Sequence, residues 1–576
     1  MGTDRMTPSA STTPARLGDD IIDRLVTLAT EQPDRTLYVE LGSDLEENAR
    51  LTAAELADSS ARLAGLLGER GVQRDDVVLL IATRPSEFLV GLFGCLWAGV
   101  IPAPISFPRR PEHLESRLEP VRRNADAVAL VAATPQGQAE IAVLEKLTQG
   151  SLPVVQIPDS AAADPVPPVT DRDIAYLQYT SGSTSEPRGV TITHGNLAAN
   201  LDETQELMAM TPDSVNVSWC PLTHDMGLVV GALPSVWLGM TSVIMQPSTF
   251  IRRPLAWMRT LDRYRGTHGC SPNFGFDLLV DRSTPEERAA LDLSSAVCFI
   301  NGAEPVRRRT RDRFLDAFAP SGFPAEAYTP GYGLAEATVV VAITRLDDVG
   351  RVLWVDAAAL EQHEVVLREK GDADVRELCT DGVIHPDYDA RIVDPDTCEE
   401  SAPGVVGELW LAGPSVSPGY WRRDEATKEA FGGHLADGTG PFLRTGDLAF
   451  IHDGELVICG RAKDLIVIRG RNIYPQDVEQ SAELAHDAVR LGGSAAFAVE
   501  EEGGTELESL VLVCEVDGEP DEAEVAAAVK NVVLREYDVN VHDVLLVPPY
   551  SVPKTSSGKK QRSATKRLWL KARGLG

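Results

Sequence analysis

The sequence predicts an α/β protein: a large N-terminal domain of parallel or mixed sheets covered by helices, followed by a small α+β domain. Three observations carry this. The chain has 576 residues, too many for one ordinary hydrophobic core. Its first part alternates strand-like and helix-like runs, the pattern of parallel sheets with helices packed on them. After Gly460 the pattern shifts to a short β-α-β-β-α-β succession that can close as a unit of its own.

Taken in order, Ile21, Leu25 and Leu28 recur at helical spacing, and Leu56, Leu63, Leu66 and Leu67 mark a second helix stopped at Gly71. Strand-like runs follow at 77–82, 127–133 and 154–157. The uncharged run 88–105 approaches the length of a membrane span. Gly91, Gly94, Gly99, Pro102 and Pro104 inside it, and Glu87 and Arg109 around it, instead predict a buried helix ending near Gly99 and then an extended segment. No transmembrane segment is expected. Residues 161–168, with three prolines among alanines, read as a connector. Beyond the boundary at 460–464, strands are expected at 465–468, 495–499, 510–516 and 544–547, and helices at 475–485 and 521–534. The resulting division is a disordered leader over 1–18, a large domain over 19–459, a hinge at 460–464 and a small domain over 465–576.

Apolar residues make up 43% and charged residues 24% of the chain, ordinary for a globular protein. A formal net charge of −32 argues against nucleic acid and against anionic lipid as partners. An acidic partner would need a local basic patch, for which the tail 559–573 is the richest candidate; a solvated basic terminus is the other reading. The eight cysteines are dispersed without metal-ligand spacing, which fits a cytoplasmic protein with reduced thiols. The first sixteen residues, rich in Ser, Thr and Pro, lack the apolar core of a signal peptide.

The chemistry begins at 176–189, Tyr-Leu-Gln-Tyr-Thr-Ser-Gly-Ser-Thr-Ser-Glu-Pro-Arg-Gly. A strand gives way to Thr180, Ser181, Gly182, Ser183 and Thr184, whose hydroxyls and backbone N–H groups suit anionic oxygens at close range. The spacing is not that of a P-loop, and alone the stretch also reads as a Ser/Thr-rich surface turn. Further motifs follow: Cys-Pro-Leu-Thr-His-Asp-Met-Gly (220–227), Ser-Pro-Asn-Phe (271–274), Asn-Gly-Ala-Glu-Pro (301–305) and Gly-Tyr-Gly-Leu-Ala-Glu-Ala-Thr (331–338). Later come Arg-Thr-Gly-Asp (444–447), Gly-Arg-Ala-Lys-Asp (460–464), Ile-Arg-Gly-Arg-Asn-Ile-Tyr-Pro-Gln-Asp (468–477) and Pro-Lys-Thr-Ser-Ser-Gly-Lys (553–559).

In this order, over nearly the whole chain, the motifs resemble the adenylate-forming superfamily, and more closely its fatty acyl-AMP ligases. The stretch 352–379 resembles that subgroup's inserted segment. The resemblance implies ATP-dependent activation of a carboxylic acid, fatty acyl in kind, to an acyl-AMP. Acyl transfer to an acyl carrier protein would follow, with CoA as the alternative acceptor. It implies a mobile C-terminal domain turning at Lys463, where many relatives have Asp. Lys559 would bridge the acyl carboxylate and the α-phosphate, and Glu336 would hold Mg²⁺. His224, beside Asp225, would position or gate the substrate. Asp447 would accept the ribose hydroxyls, with Arg461 a charge near ribose and phosphate. Ala303, Glu304, Pro305, Gly331, Tyr332 and Gly333 would form the adenine site, Tyr332 offering its ring. Ser185 and Arg188 stand where many relatives have Gly and Lys; arginine keeps the charge and changes the geometry. A catalytically silent acyl or nucleotide binder is the reading from another class, opposed by the joint presence of Lys559, Glu336 and Asp447. Acyl chain length, pathway and oligomeric state are not legible.

Overall fold

The computed structural model describes residues 20–106, 114–132, 152–157, 165–168, 173–180, 187–468, 471–500, 508–555 and 559–575. The expected leader, Ser181, Gly182, Ser183 and Thr184 lie outside them, as does the side chain of Thr180.

A nine-stranded mixed sheet organises the large N-terminal part. From Tyr328–Gly333 through Cys298–Asn301, His268–Ser271, Val215–Ser218 and Thr241–Met245 to Thr36–Leu41, neighbouring strands pair in parallel. Antiparallel strands close both margins. The parallel strands are almost wholly buried, as sheets covered on both faces must be. Behind them packs an aromatic cluster, with Trp257 at 5.6 Å from Phe299 and Phe276 at 4.9 Å from Phe314 and from Tyr328.

A second, four-stranded parallel sheet runs Ile101–Pro104, Val77–Ile81, Ala129–Ala132, Val154–Gln156. The uncharged run is its crossover helix, Pro85–Trp97, buried from Phe88 to Trp97. A Cβ on Gly94 would stand 2.5 Å from Leu63 and one on Gly91 2.6 Å from Leu80, so these glycines let helix and neighbours approach. No helix among the described residues is long and apolar enough to cross a membrane.

Two smaller sheets position the site. Ile174–Thr180 pairs antiparallel with Arg188–Thr193, so Thr180 faces Arg188 across the ends of the hydroxyl-rich segment. A four-stranded antiparallel sheet, Asp389–Val393, Gly407–Ala412, Leu443–His452 and Glu455–Arg461, sets Asp447 opposite Arg461.

From Ile466 onward the chain builds cores from its own residues. One is centred on Val478, Leu512 and Val529, the other on Phe497, Val513 and Trp569. Strands Val489–Glu500 and Glu508–Val516 pair antiparallel, and Val541–Val547 joins in parallel. The strand expected at 465–468 is Ile466–Ile468, and it forms a separate hairpin with Arg471–Ile473 instead of joining this sheet. A last helix, Arg562–Arg573, was not anticipated, because its few apolar positions are diluted by cations.

Those cations are not a free basic patch. Lys560 Nζ donates to Glu479 and Glu483 at 3.0 Å, Arg562 to Glu479 at 2.7 Å and to Asp464 at 3.0 Å, Lys566 to the Ala498 carbonyl at 2.9 Å, and Arg573 to Asp543 at 2.7 Å. Only Arg567, Lys571 and Arg573 are exposed. Desolvation works to raise the fully buried Glu479 carboxyl, but Arg562 and Lys560 overcome it and hold the group down at about 2. A carboxyl depressed in the folded state stabilises the fold above the ordinary glutamate range and loses that contribution as pH falls toward about 2. Acid titration followed by circular dichroism is expected to show this loss. Glu479→Gln, which leaves Lys560 with Glu483 and Arg562 with Asp464 as their remaining carboxylate partners, is expected to cost about 1–3 kcal/mol in urea unfolding. A cost under about 1 kcal/mol would place the network among weak surface pairs.

Candidate active site

A cavity lies where the C-terminal end of the nine-stranded sheet meets Lys559. His224, Asp225, Ala303, Gly331, Tyr332, Gly333 and Lys559 all line it. Each arrives by a different local device.

His224 and Asp225 stand before a π-helical turn, Met226–Val230, whose wide winding frees carbonyl groups. Asn216 Nδ2 satisfies two of these, donating to Val230 and Gly231 at 2.9 Å. Gln178, on the strand leading into the hydroxyl-rich segment, donates to the Thr223 carbonyl at 3.0 Å and ties the two motifs together. A Cβ on Gly227 would collide with the Pro221 carbonyl, which explains the motif's glycine. His224 Nδ1 lies 2.6 Å from Asp225 Oδ1.

The Ser-Pro-Asn-Phe motif has a bracing role. Asn273 donates to the Pro305 carbonyl at 3.0 Å and accepts from Asn301 Nδ2 at 2.9 Å and from the Arg307 N–H at 3.2 Å. It thereby holds 301–307 against the sheet end. Within that stretch Ala303 sits at φ 71°, an unusual setting for a residue with a Cβ.

After Tyr328–Gly333 the chain turns back at once. Leu334 N–H donates to the Val339 carbonyl at 3.0 Å and Val339 N–H to Ala337 at 2.8 Å, with Thr338 between them at φ 64°, ψ −63°. This is a strained γ-turn on a β-branched residue. A Cβ on Gly333 would overlap the Val339 carbonyl. The turn carries Glu336, whose Oε1 accepts from Tyr420 Oη at 2.8 Å while its Oε2 has no hydrogen bond among the described residues. The Arg188 guanidinium lies 5.3 Å from the Tyr420 ring centre.

Tyr332 Oη donates to Asp447 Oδ2 at 2.7 Å and Arg461 Nε to Oδ1 at 2.9 Å, so both oxygens of this buried carboxylate are oriented. Asp447 chiefly raises the Arg461 guanidinium, against desolvation. Burial, then Asp447, pushes the Tyr332 phenol up. On the opposite wall, burial and then Arg461 lower the Lys559 ammonium, while Asp225, Asp447 and Glu304 support its charge. Desolvation alone would raise Asp225; His224, Lys559 and the Met226 N–H prevail and lower it. Lys559 is tied to Thr555: its N–H donates to Thr555 Oγ1 at 3.0 Å and its carbonyl accepts from the Thr555 N–H at 2.8 Å.

The expected residues thus divide. Lys559, His224, Ala303, Gly331, Tyr332 and Gly333 share the cavity, and Asp447 and Arg461 join it through Tyr332. Glu304 acts on Lys559 electrostatically, while Pro305 offers its carbonyl to Asn273. Glu336 stands one turn beyond Gly333. Lys463 follows Arg461 in the 3₁₀ turn Ala462–Asp464, its ammonium lowered by burial and by Arg461. Sequence reasoning missed Gln178, Tyr420 and Thr338. Tyr420 reaches the site because 419–421 hydrogen-bonds along Arg188–Thr193, a long-range pairing without a local signature.

Comparison with known proteins agrees with this geometry. Residues 26–421 match the AMP-binding enzyme family model, and 463–574 match the AMP domain of Disco-interacting protein 2-like proteins. The chain is 38% identical to the medium-chain-fatty-acid–[acyl-carrier-protein] ligase JamA of Moorena producens, covering 96% of this chain and 95% of the relative. It is 35% identical to the long-chain-fatty-acid–AMP ligase FadD26 of Mycobacterium marinum, covering 93% and 94%. Among solved structures, one from a study of fatty acyl-adenylate ligases of E. coli and L. pneumophila superposes with TM-score 0.86 at 29% identity, over 97% and 99% of the two chains. The fatty acyl-adenylate ligase from L. pneumophila in complex with acyl adenylate and pyrophosphate superposes with TM-score 0.74 at 32% identity, over 96% of each. With a family model spanning more than half its length and relatives this similar end to end, the chain belongs to the AMP-binding, adenylate-forming enzyme family.

Proposed function

We propose that this enzyme activates a fatty acid with ATP, releasing pyrophosphate, and transfers the acyl group from acyl-AMP to an acyl carrier protein. The observation that carries the reading is the meeting of Lys559 with His224, Asp225 and Tyr332 around one cavity. A carboxylate is a poor acyl donor until its oxygen has attacked the α-phosphorus. In such a displacement the protein's task is alignment and neutralisation of charge on the phosphate oxygens. Lys559 supplies a cation between the acyl carboxylate and the α-phosphate. Asp447, held by Tyr332 and Arg461, turns its oxygens toward the ribose, and 301–305 with 331–333 receive the adenine. His224, locked to Asp225, borders the carboxylate position. Thr180, Ser181, Gly182, Ser183 and Thr184 hold the outer phosphates.

Glu336 fits a hard cation, because Tyr420 orients one carboxylate oxygen and the other has no hydrogen bond among the described residues. Bound there with the phosphates, Mg²⁺ would offset charge on the leaving pyrophosphate. The reading places the enzyme in the cytoplasm, in keeping with eight free cysteines.

The choice of acceptor rests on 352–379. Val352–Asp356 pairs with Val375–Cys379 as a hairpin, and Leu353, Val355 and Leu360 pack on Leu448, Phe450 and Val457 of the antiparallel sheet. Val365 is half-buried, and Leu367 is 46% exposed. The segment also grips the far side of Lys463. Glu361 accepts from Arg471 at 2.6 and 2.8 Å, Asn472 Nδ2 donates to the Glu361 carbonyl and to His363 Nε2 at 2.9 Å, and Arg376 pairs with Asp477 and lies 4.4 Å from the Tyr474 ring centre. This clamp supports rotation about Lys463 being restrained, and CoA being a poor acceptor.

ATP–pyrophosphate exchange across a fatty-acid panel, followed by thioester assays with carrier protein and with CoA, tests the whole reading. Lys559→Ala is expected to lower exchange by about 10²-fold or more with an unchanged melting curve; near-normal exchange would remove the lysine from the mechanism. Glu336→Gln is expected to raise the Mg²⁺ concentration needed for half-maximal rate, and an unchanged Mg²⁺ curve would count against the metal role. Joint Glu361→Ala and Arg376→Ala substitution is expected to increase acyl-CoA formation at constant exchange rate. Efficient acyl-CoA synthesis by the unaltered enzyme would defeat the carrier assignment.

A further inference from the structure

Lys559 is not the only charge that meets an opposite one across the seam between the C-terminal unit and the large N-terminal part. Helix Pro475–Leu484 of the C-terminal unit carries Glu479 and Glu483, both buried. The cations around them have two origins. Lys560 and Arg562 belong to the same unit as the helix. Arg307 belongs to the large part, two residues beyond the motif 301–305.

Glu483 divides its two oxygens between these origins. Oε1 accepts from Lys560 Nζ at 3.0 Å and from the Ser494 N–H at 3.2 Å, whereas Oε2 lies 3.6 Å from Arg307 Nη1. Desolvation works against both charges. Lys560 and Arg307 nevertheless lower the Glu483 carboxyl, and Glu483, ahead of Glu304, Glu479 and Asp277, raises the Arg307 guanidinium. At 3.6 Å the contact is a charge pair and not a hydrogen bond, so it draws the two parts together without prescribing one geometry. On the side of the large part the anchor is firm, because the Arg307 N–H donates to Asn273 Oδ1 at 3.2 Å and helix Arg308–Phe318 begins at the next residue.

We propose that Arg307 is a positioning residue for adenylation: by drawing Glu483 across the seam it sets Lys560, and with it the adjacent Lys559, at the cavity. The inference rests on the adenylation reading above and on the turn at Lys463. Under that turn the pairs of Glu479 and Glu483 with Lys560 and Arg562 travel together, since all four residues lie beyond the hinge. The pair with Arg307 is the one that a turn must break. Glu304 supports the charge of Arg307 and of Lys559 alike, so the segment assigned to the adenine faces both cations. Arg307 acts through Glu483 and touches no reacting atom. Its removal therefore affects the alignment of Lys559 more than the binding of nucleotide.

The test is ATP–pyrophosphate exchange by the full-length enzyme, resolved into kcat and KM for ATP. Arg307→Gln, which keeps most of the stem and removes the charge, is expected to lower kcat about 10-fold while KM for ATP stays within about twofold. Arg307→Lys, which retains a cation, is expected to recover most of that loss. In a Glu483→Gln background, Arg307→Gln is expected to cost less than about twofold more, since its partner is already neutral. If Arg307→Gln does not fold, Glu483→Gln alone is expected to show the same fall in kcat at a steady KM. Normal exchange in either single variant, a loss carried by KM instead of kcat, or the full loss persisting in the Glu483→Gln background would overturn the proposal and leave the adenylation reading standing. Absence of exchange by the unaltered enzyme across the fatty-acid panel would remove that reading, and this inference with it.

Discussion

The active site depends on burying one ammonium group at a seam. Lys559 comes from a loop of the C-terminal unit, yet Asp225, Asp447 and Glu304, the carboxylates that support its charge, belong to the large N-terminal part. An isolated buried cation is costly, and those carboxylates offset the cost of burying Lys559. Arg461 opposes it from the same side. The balance makes the lysine's position sensitive to charge.

The large part meets this demand with backbone geometry that few residues tolerate. Thr338 in a γ-turn, Ala303 at positive φ and Gly333 against a carbonyl all lie in segments that border the cavity. Strain of this kind persists only where surrounding structure fixes it. Here Asn273 braces 301–307, Asn200 bonds Val340 on both its N–H and its carbonyl, and Thr338 Oγ1 donates to the Ser415 carbonyl at 2.8 Å. Polar side chains from distant parts of the sequence thus hold the turns that carry the ligand-facing groups.

This explains what the sequence disclosed. Motifs such as 220–227 and 331–338 are legible because their chemistry is local: a glycine where a carbonyl approaches, a carboxylate beside a histidine. The buried helix at 85–97 was legible from its prolines, glycines and flanking charges. Tyr420 and Gln178 were not, since each owes its place to pairings between residues tens to hundreds of positions apart. The basic tail misled for a similar reason. Lys560 and Arg562 look solvated in one dimension, and only the fold brings Glu479 and Glu483 to them. Apolar periodicity likewise failed for the last helix, where Thr565 and Trp569 are its only fully buried positions.

The clamp by 352–379 is bounded in strength by its exposure. Arg471 is 31% exposed against a 12% exposed Glu361, whereas Arg376 at 10% faces Asp477 at 20% under the Tyr474 ring. The first pair, partly screened by solvent, contributes about 1 kcal/mol or less. In the second, nearly dry pair, desolvation of both charges offsets much of their attraction, and the cation–π contact contributes about 2 kcal/mol at a desolvated site. A total of about 3 kcal/mol would reduce a rotated population by roughly two orders of magnitude without abolishing it. An acceptor that can repay this through differential contacts with the rotated state overcomes the clamp, and one that cannot is excluded. A carrier protein has a larger surface for such contacts than CoA. On the proposed reading, the hairpin would select acceptors by setting a threshold of binding energy rather than by closing a door.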